Sequence, residues 1–465
     1  MTKQLPEPES PPQQHAAPAP SKDHVGISFA EAFCFWLKLG FVSFGGPAGQ
    51  IAVMHQELVE RRRWISEHRF LHALNYTMVL PGPEAQQLAT YIGWLMHGAI
   101  GGIVAGALFV LPSFFILIGL AWIYLVFGET QGVAGILYGI KPAVTAVVLF
   151  AAYRIGSRAL SNAVLWTIAA AAFLAIFAFN VPFPFVVLGA AVVGLIGGRL
   201  VPGKFTHRNH TDSGKSYGSA IIDDDTPAAE HARFRLKRLL IFGGIGVALW
   251  VGATALLMAS YGWDGTLTRM GWFFTKAALV TFGGAYAVLP YVYQGGVESY
   301  QWLTGVQMID GLALGETTPG PLIMIVTFVG FVGGWTKAIF GPESLALAGI
   351  AGATVATVFT FLPSFLFILV GGPMIEATRH EIRLTAPLTA ITAAVVGVIL
   401  NLALFFAWHV LWPEASTHAP FVGHFEWFAL LMSLAAFVAL WRFKVGIIPV
   451  IASCAGLGLA VQFLS

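Results

Sequence analysis

Lys38-Leu-Gly-Phe-Val-Ser43-Phe44-Gly45-Gly46 and, downstream of it, Pro81-Gly82-Pro83 decide the fold, because both phrases are written twice. They return as Lys276-Ala-Ala-Leu-Val-Thr281-Phe282-Gly283-Gly284 and Pro319-Gly320-Pro321, each 238 residues on (281 − 43, 319 − 81), and Trp64 and Trp302 keep that offset. The chain is therefore a duplication. Gly and Pro break helices and leave backbone groups without intrahelical partners. Within apolar sequence such breaks survive only where protein or a polar cavity satisfies them. Paired broken segments in two halves are the best sequence pointer to a transporter's binding site.

Composition sets the solvent. With 57% hydrophobic and 10% charged residues and a mean hydropathy of +0.75, the chain departs far from the roughly 25% charge of a soluble domain. We read an all-α, polytopic membrane protein. Apolar runs long enough to cross a bilayer lie at 101–126, 136–153, 160–179, 182–198, 239–260, 345–370, 386–407, 425–441 and 446–464. The Pro- and Gln-rich segment 1–27 reads as a disordered tail, 28–200 as the first repeat, 201–238 as a polar cytoplasmic linker and 239–465 as the second repeat. Cys34 and Cys454 both sit in apolar sequence, which argues against a disulfide. His68 and His72 have metal spacing but no third ligand, so no metal, other cofactor or nucleic acid is expected.

Loop charges give the threading. Basic residues collect on the cytoplasmic side. In the first copy they fall at Arg61-Arg62-Arg63 through Arg69 and at Arg154 and Arg158; the matching stretches of the second copy, 295–301 and 408–425, have neither Lys nor Arg. The bias is inverted, which predicts an inverted repeat. Parity then requires 70–97 and 306–334 to enter and leave on one side, as re-entrant half-helices broken at the two Pro-Gly-Pro motifs. The Gly-Gly segments are also expected to be broken. About nine crossings remain, with the N-terminus cytoplasmic and the C-terminus periplasmic.

The candidate chemistry is anion capture. Free N–H groups at half-helix starts carry partial positive charge, and Ser43 and Thr281 add hydroxyl donors. The substrate-site candidates are Lys38, Ser43, Phe44, Gly45, Gly46, Pro81, Gly82, Pro83 and Gln86 in the first copy, with Lys276, Thr281, Phe282, Gly283, Gly284, Pro319, Gly320 and Pro321 in the second. Lys38 and Lys276 also suit snorkelling to an interface, and Lys141 before Pro142 is a further cation. Glu84 and Glu316 are the candidates for a coupling proton or, alternatively, for helix caps. A third repeated phrase, Leu111-Pro112-Ser113-Phe114 and Leu362-Pro363-Ser364-Phe365, reads as two proline kinks whose freed carbonyls the adjacent Ser satisfies.

These phrases together resemble the chromate ion transporter family. The resemblance rests on Phe44-Gly45-Gly46-Pro47, Arg63-Trp64-Ile65, Leu80-Pro81-Gly82-Pro83-Glu84-Ala85-Gln86, Tyr91-Ile92-Gly93 and Phe109-Val110-Leu111-Pro112, with second-copy echoes at Thr281-Phe282-Gly283-Gly284, Thr318-Pro319-Gly320-Pro321 and Thr327-Phe328-Val329-Gly330. It implies a long-chain member with both domains in one polypeptide, exporting chromate across a bacterial inner membrane and conferring resistance, with sulfate as the related oxyanion. Ala285 stands where Pro47 would be, so the two breaks need not be equal. A homodimer in membrane lipid is compatible with this reading. Two alternatives stay open: a carrier of sulfate or another oxyanion, and an intramembrane enzyme. The second would need a nucleophile, a base and an orienting group, which these residues do not assemble, so no enzyme is expected.

Overall fold

A computed structural model of the protein describes residues 27–44, 46–205, 219–224, 226, 231–232, 235–282, 285–377, 385–414 and 421–464. Gly45, Gly283, Gly284, the segment 1–26 and the linker residues His207 and His210 lie outside the described residues. Described residues form sixteen α-helices and no strand beyond an isolated bridge between Ile65 and Ile222. The first copy runs α1 (Phe29–Val42), α2 (Gly46–His55), α3 (Glu67–Thr77), α4 (Glu84–Phe127), α5 (Gln131–Ala159), α6 (Ala163–Phe177) and α7 (Phe183–Leu200). After α8 (Leu236–Tyr261) the series repeats as α9 (Thr266–Leu279), α10 (Ala285–Tyr293), α11 (Gly305–Thr317), α12 (Ile325–Thr336), α13 (Leu345–Ala377), α14 (Thr385–Leu411), α15 (Trp427–Trp441) and α16 (Ile447–Leu464).

The duplication extends to backbone detail that composition does not show. A six-residue π-helical turn follows α2 at Gln56–Arg61 and α10 at Gln294–Ser299. Left-handed residues then occur at Arg63 and Gln301, both with φ 52°. Next, the Trp64 N–H donates to the Leu58 carbonyl at 2.8 Å and the Trp302 N–H to the Gly296 carbonyl at 2.7 Å. The two indoles are buried and meet Phe35 and Phe273 edge-on, at 5.0 and 5.5 Å between centroids. This aromatic contact ties α1 and α9 to the loop that reverses the chain. Ser66 and Thr304 then cap α3 and α11, each accepting an N–H at 3.2 Å.

Both Pro-Gly-Pro segments are helix-break-helix hairpins. α3 stops at Thr77 and α4 begins at Glu84; α11 stops at Thr317, and a short turn at Leu322–Met324 leads into α12. α4 is itself two arms, since His97 and Gly98 leave helical geometry. The arms before and after that turn run antiparallel at close range: a Cβ on Gly93 would lie 2.6 Å from the Gly101 carbonyl oxygen. In the second copy Gly330 and Gly334 of α12 lie equally close to Gly352 and Ala348 of α13. Small residues let helix backbones approach in this way. The tight turn at His97–Gly98 is replaced by a loop around Gly341, which accounts for the changed offset of the Leu-Pro-Ser-Phe phrases.

Among the described residues, seven helices are long and apolar enough to cross a membrane: α4, α5, α7, α8, α13, α14 and α16. The shorter apolar helices α6 and α15, of 15 residues each, complete the nine apolar runs read from sequence. Large apolar side chains such as Ile100, Phe115, Leu188, Leu240, Leu256 and Leu431 face outward on these helices, as a lipid-facing surface requires. α8 has no counterpart among the described residues of the first copy. It matters for threading: on the crossings read from sequence, the second arm of α4 with α5, α6 and α7 counts four, and α8 adds a fifth. An odd count between equivalent points is what the inverted repeat expected from the loop charges requires.

The copies interlock. α5 packs against α15 and α16, and reciprocally α14 packs against α6 and α7, while α4 and α13 meet at the centre. The linker is pinned beneath the first hairpin, where Ser66 Oγ donates to Asp224 Oδ1 and Arg69 Nη2 to the Thr226 carbonyl, both at 2.6 Å.

Candidate functional site

The central observation is a reciprocal pair of backbone bonds. Gly82 N–H donates to the Thr281 carbonyl at 2.8 Å, and Gly320 N–H donates to the Ser43 carbonyl at 2.7 Å. Each Pro-Gly-Pro hairpin is thus tied to the broken helix of the other copy, not of its own. The pairing satisfies broken backbone that lipid could not. Both glycines need their identity twice over. Gly82 (φ +123°) and Gly320 (φ +105°) occupy a region that L side chains rarely adopt. A Cβ on Gly82 would also collide with Ser364 Oγ, and one on Gly320 would lie 2.8 Å from Ser113 Cβ. The Leu-Pro-Ser-Phe phrases therefore face the opposite copy's hairpin. Ser364 Oγ makes no hydrogen bond among the described residues, in place of the carbonyl-satisfying role expected from sequence.

Polar side chains collect around these crossings. Ser43, Gln50, Gln86, Gln87, Thr281 and Ser364 are all fully buried. Gln50 Nε2 donates to the Gly320 carbonyl, Gln87 Nε2 to the Pro81 carbonyl at 2.7 Å and Gln86 Nε2 to Thr90 Oγ1 at 3.0 Å. Ser43 Oγ, Ser364 Oγ and the Oε1 atoms of Gln50, Gln86 and Gln87 have no hydrogen-bond partner among the described residues. Burying such groups unpaired costs about 1–3 kcal/mol each. They concentrate where the starts of α2, α4 and α10 and the Leu322–Met324 turn come together, which makes this the candidate site. The first-turn N–H groups at these starts also lack intrahelical acceptors. Of the unpaired atoms the Ser43 and Ser364 hydroxyls can donate, whereas the three glutamine Oε1 atoms accept and their Nε2 groups already donate within the protein; no cation among the described residues is bonded to them.

The remaining candidates are spread more widely. Phe44 and Gly46 line the first break half-buried, and Phe282 lies beside Thr281 at the second. Pro83 and Pro321 stand immediately before the helical turns that begin at Glu84 and Leu322. Lys38 is exposed on α1, and Lys276 places its Nζ 5.8 Å above the Trp272 ring. Glu84 opens α4 and forms no hydrogen bond or ion pair with described residues, whereas Glu316 is buried and accepts the Tyr286 hydroxyl. Sequence reasoning missed Gln50 and Tyr286, and it treated Ser364 as structural. A lone amide within the apolar run of α2 was the available signal for Gln50. Among the described residues no cluster of three or more metal-ligating side chains forms.

The sequence profile described as chromate transporter matches residues 30–195 and 268–459, the two copies separated by the linker and α8. Over 378 residues the chain is 35% identical to the chromate transport protein of Pseudomonas aeruginosa, covering 80% of each chain. It is 29% identical over 378 residues to the chromate transport protein of Cupriavidus metallidurans, covering 80% of this chain and 81% of that one. To the probable chromate transport protein of Synechococcus elongatus it is 27% identical over 377 residues, 81% and 84% of the two chains. No solved structure matches. The repeated breaks, their crossed pairing and these similarities together make this chain a two-domain member of the chromate transporter family.

Proposed function

We propose that this protein is a secondary transporter that exports chromate from the cytoplasm across a bacterial inner membrane, holding the oxyanion where the four broken segments meet. The observation that carries the reading is the reciprocal bonding of Gly82 to Thr281 and Gly320 to Ser43, which brings helix starts and one buried unpaired hydroxyl from each copy, Ser43 and Ser364, to one place. The named activity of the relatives supplies the substrate. Direction follows from charge. Moving one elementary charge through 100 mV is worth about 2.3 kcal/mol, so a dianion leaving a negative-inside cell gains roughly twice that. Loop charges support a cytoplasmic N-terminus and a periplasmic C-terminus. In this reading Ser43, Gly45, Gly46, Gly283 and Gly284 present donors to the oxyanion. Thr281, whose hydroxyl donates to the Ala277 carbonyl at 2.6 Å, holds the Gly82 hairpin in place through its own carbonyl. Gln86 orients the anion, and Glu84 or Glu316 carries any coupled proton.

Labelled chromate and sulfate flux in proteoliposomes, with a membrane potential imposed in either sense, tests this. Potential-driven chromate efflux is expected in wild type and not in Gly82→Ala or Gly320→Ala. Absence of chromate flux under every gradient, from protein that remains folded, would overturn the substrate and promote sulfate or another tetrahedral anion.

A further inference from the structure

The most unusual charge arrangement in the molecule lies away from the crossings. Asp310, on α11, is 2% exposed within the second hairpin. The Tyr124 hydroxyl of α4 donates to its Oδ2 at 2.9 Å, which fixes the carboxylate and turns Oδ1 toward α5. There Lys141 Nζ stands 3.7 Å from Oδ1, too far for a hydrogen bond. Oδ1 accordingly has no hydrogen-bond partner among the described residues, although it is buried. Lys141 keeps 29% of its side chain exposed. A long contact between a buried carboxylate and a partly open ammonium is a poor structural bridge, since neither ion recovers in full what desolvation costs it. It is well suited to being opened. The arrangement is also one-sided: the position equivalent to Asp310 in the first hairpin, 238 residues earlier, is His72.

We propose that Lys141 is a second anion-binding position for the transported tetrahedral oxyanion, occupied here by Asp310 as its resident counter-ion. The inference rests on the transport reading above. Asp310 lies about two turns, roughly 10 Å, before the end of α11. In the threading inferred from loop charges α11 enters from the periplasm and α5 starts there, so the pair sits between the central crossings and the outer surface. An oxyanion leaving the crossings meets Lys141, displaces the Asp310 carboxylate and is then repelled outward by it. Tyr124 limits how far the carboxylate swings. Lys141 and Tyr124 belong to the first copy and Asp310 to the second, so relative movement of the copies changes the separation directly.

The test compares wild type, Lys141→Met, Asp310→Asn and the double variant, by chromate flux in proteoliposomes and by the thermal shift that chromate produces in purified protein. Lys141→Met is expected to lower flux at least tenfold while chromate still shifts the melting temperature through the central crossings. Asp310→Asn is expected to lower both the apparent KM and the maximal rate, because the anion now rests on an unopposed Lys141. The double variant removes both charges, so it tolerates burial even if Lys141→Met does not, and it should stay as slow as Lys141→Met. Wild-type flux in the double variant would overturn the proposal and leave the pair as a structural bridge. Wild-type protein showing neither flux nor shift with chromate or sulfate would instead overturn the transport reading itself.

Discussion

The hairpin before residue 98 and its copy before residue 337 share a backbone and differ in chemistry. Both begin at a Ser or Thr cap, both break at Pro-Gly-Pro, and both donate the central glycine N–H to the opposite copy. After the break the first carries Glu84, Gln86 and Gln87, whereas the second carries Leu322, Ile323 and Met324, all buried. Before the break the second carries Asp310 and Glu316, where the first has His72 and Met78. The difference teaches that the geometry of the site requires both copies, while the polar groups are divided between them. Backbone donors come in a symmetric pair; the buried amides come from the first hairpin alone, and of these carboxylates Glu84 falls after the break in the first, Asp310 and Glu316 before it in the second.

The largest way to break this comparison is at the crossings. Gly82→Ala and Gly320→Ala each impose strained backbone at about 1–3 kcal/mol besides the collision with Ser364 or Ser113. Both should abolish flux and lower Tm, and Ser364→Ala should recover part of the stability of Gly82→Ala only. Wild-type flux in either alanine variant would remove the crossings from the transport path.

Tyr286→Phe comes next. It leaves the buried Glu316 carboxyl without the hydroxyl it accepts, at about 1–3 kcal/mol, read by denaturant unfolding in detergent. Glu84→Gln in the other hairpin should cost less than about 1 kcal/mol, the value of a carboxylate at a helix start. Equal losses would mean that Glu84 is held as tightly as Glu316 and that the two hairpins do not differ in this way. Gln50→Leu removes the side-chain bond to the Gly320 carbonyl, worth about 1 kcal/mol. Because the equivalent position is Val288, this asymmetric tie should lower Tm modestly and slow flux. The smallest effect is expected at the caps: Ser66→Ala and Thr304→Ala should each cost about 0.5–1 kcal/mol. Thr304→Ala should be the worse of the two, since Gln307 returns a bond to the Thr304 N–H at 2.8 Å; the reverse order would argue that the linker contact at Ser66 outweighs the capping box.

Much of the architecture was legible from the residues. Apolar length located nine apolar helices, seven of them long enough to cross a membrane among the described residues, and the repeated Gly-Gly and Pro-Gly-Pro phrases located the breaks, because hydropathy and helix-breaking are properties of local sequence. The loop charges predict an inverted second copy, and the structure adds α8, a long apolar helix unmatched among the described residues of the first copy, which such a threading requires. Other features were illegible for a stated reason. The π-helical turns at Gln56–Arg61 and Gln294–Ser299 have no residue signature. Ser364 looked like the partner of its own helix's kink, and only its contact with Gly82 reveals the other role. Asp310 stood unremarked between apolar neighbours until Tyr124 and Lys141 were seen around it.

By itself the sequence determined that this chain is a duplicated, helical membrane protein with two pairs of broken helices, since periodicity, hydropathy and Gly and Pro placement act over a few residues. Only the tertiary structure decided that each Pro-Gly-Pro bonds the other copy's break, and which buried polar atoms are left unpaired there. Those are contacts between segments more than 190 residues apart, as Gly82 and Thr281 are, and they follow from how interlocked helices pack and not from any local preference.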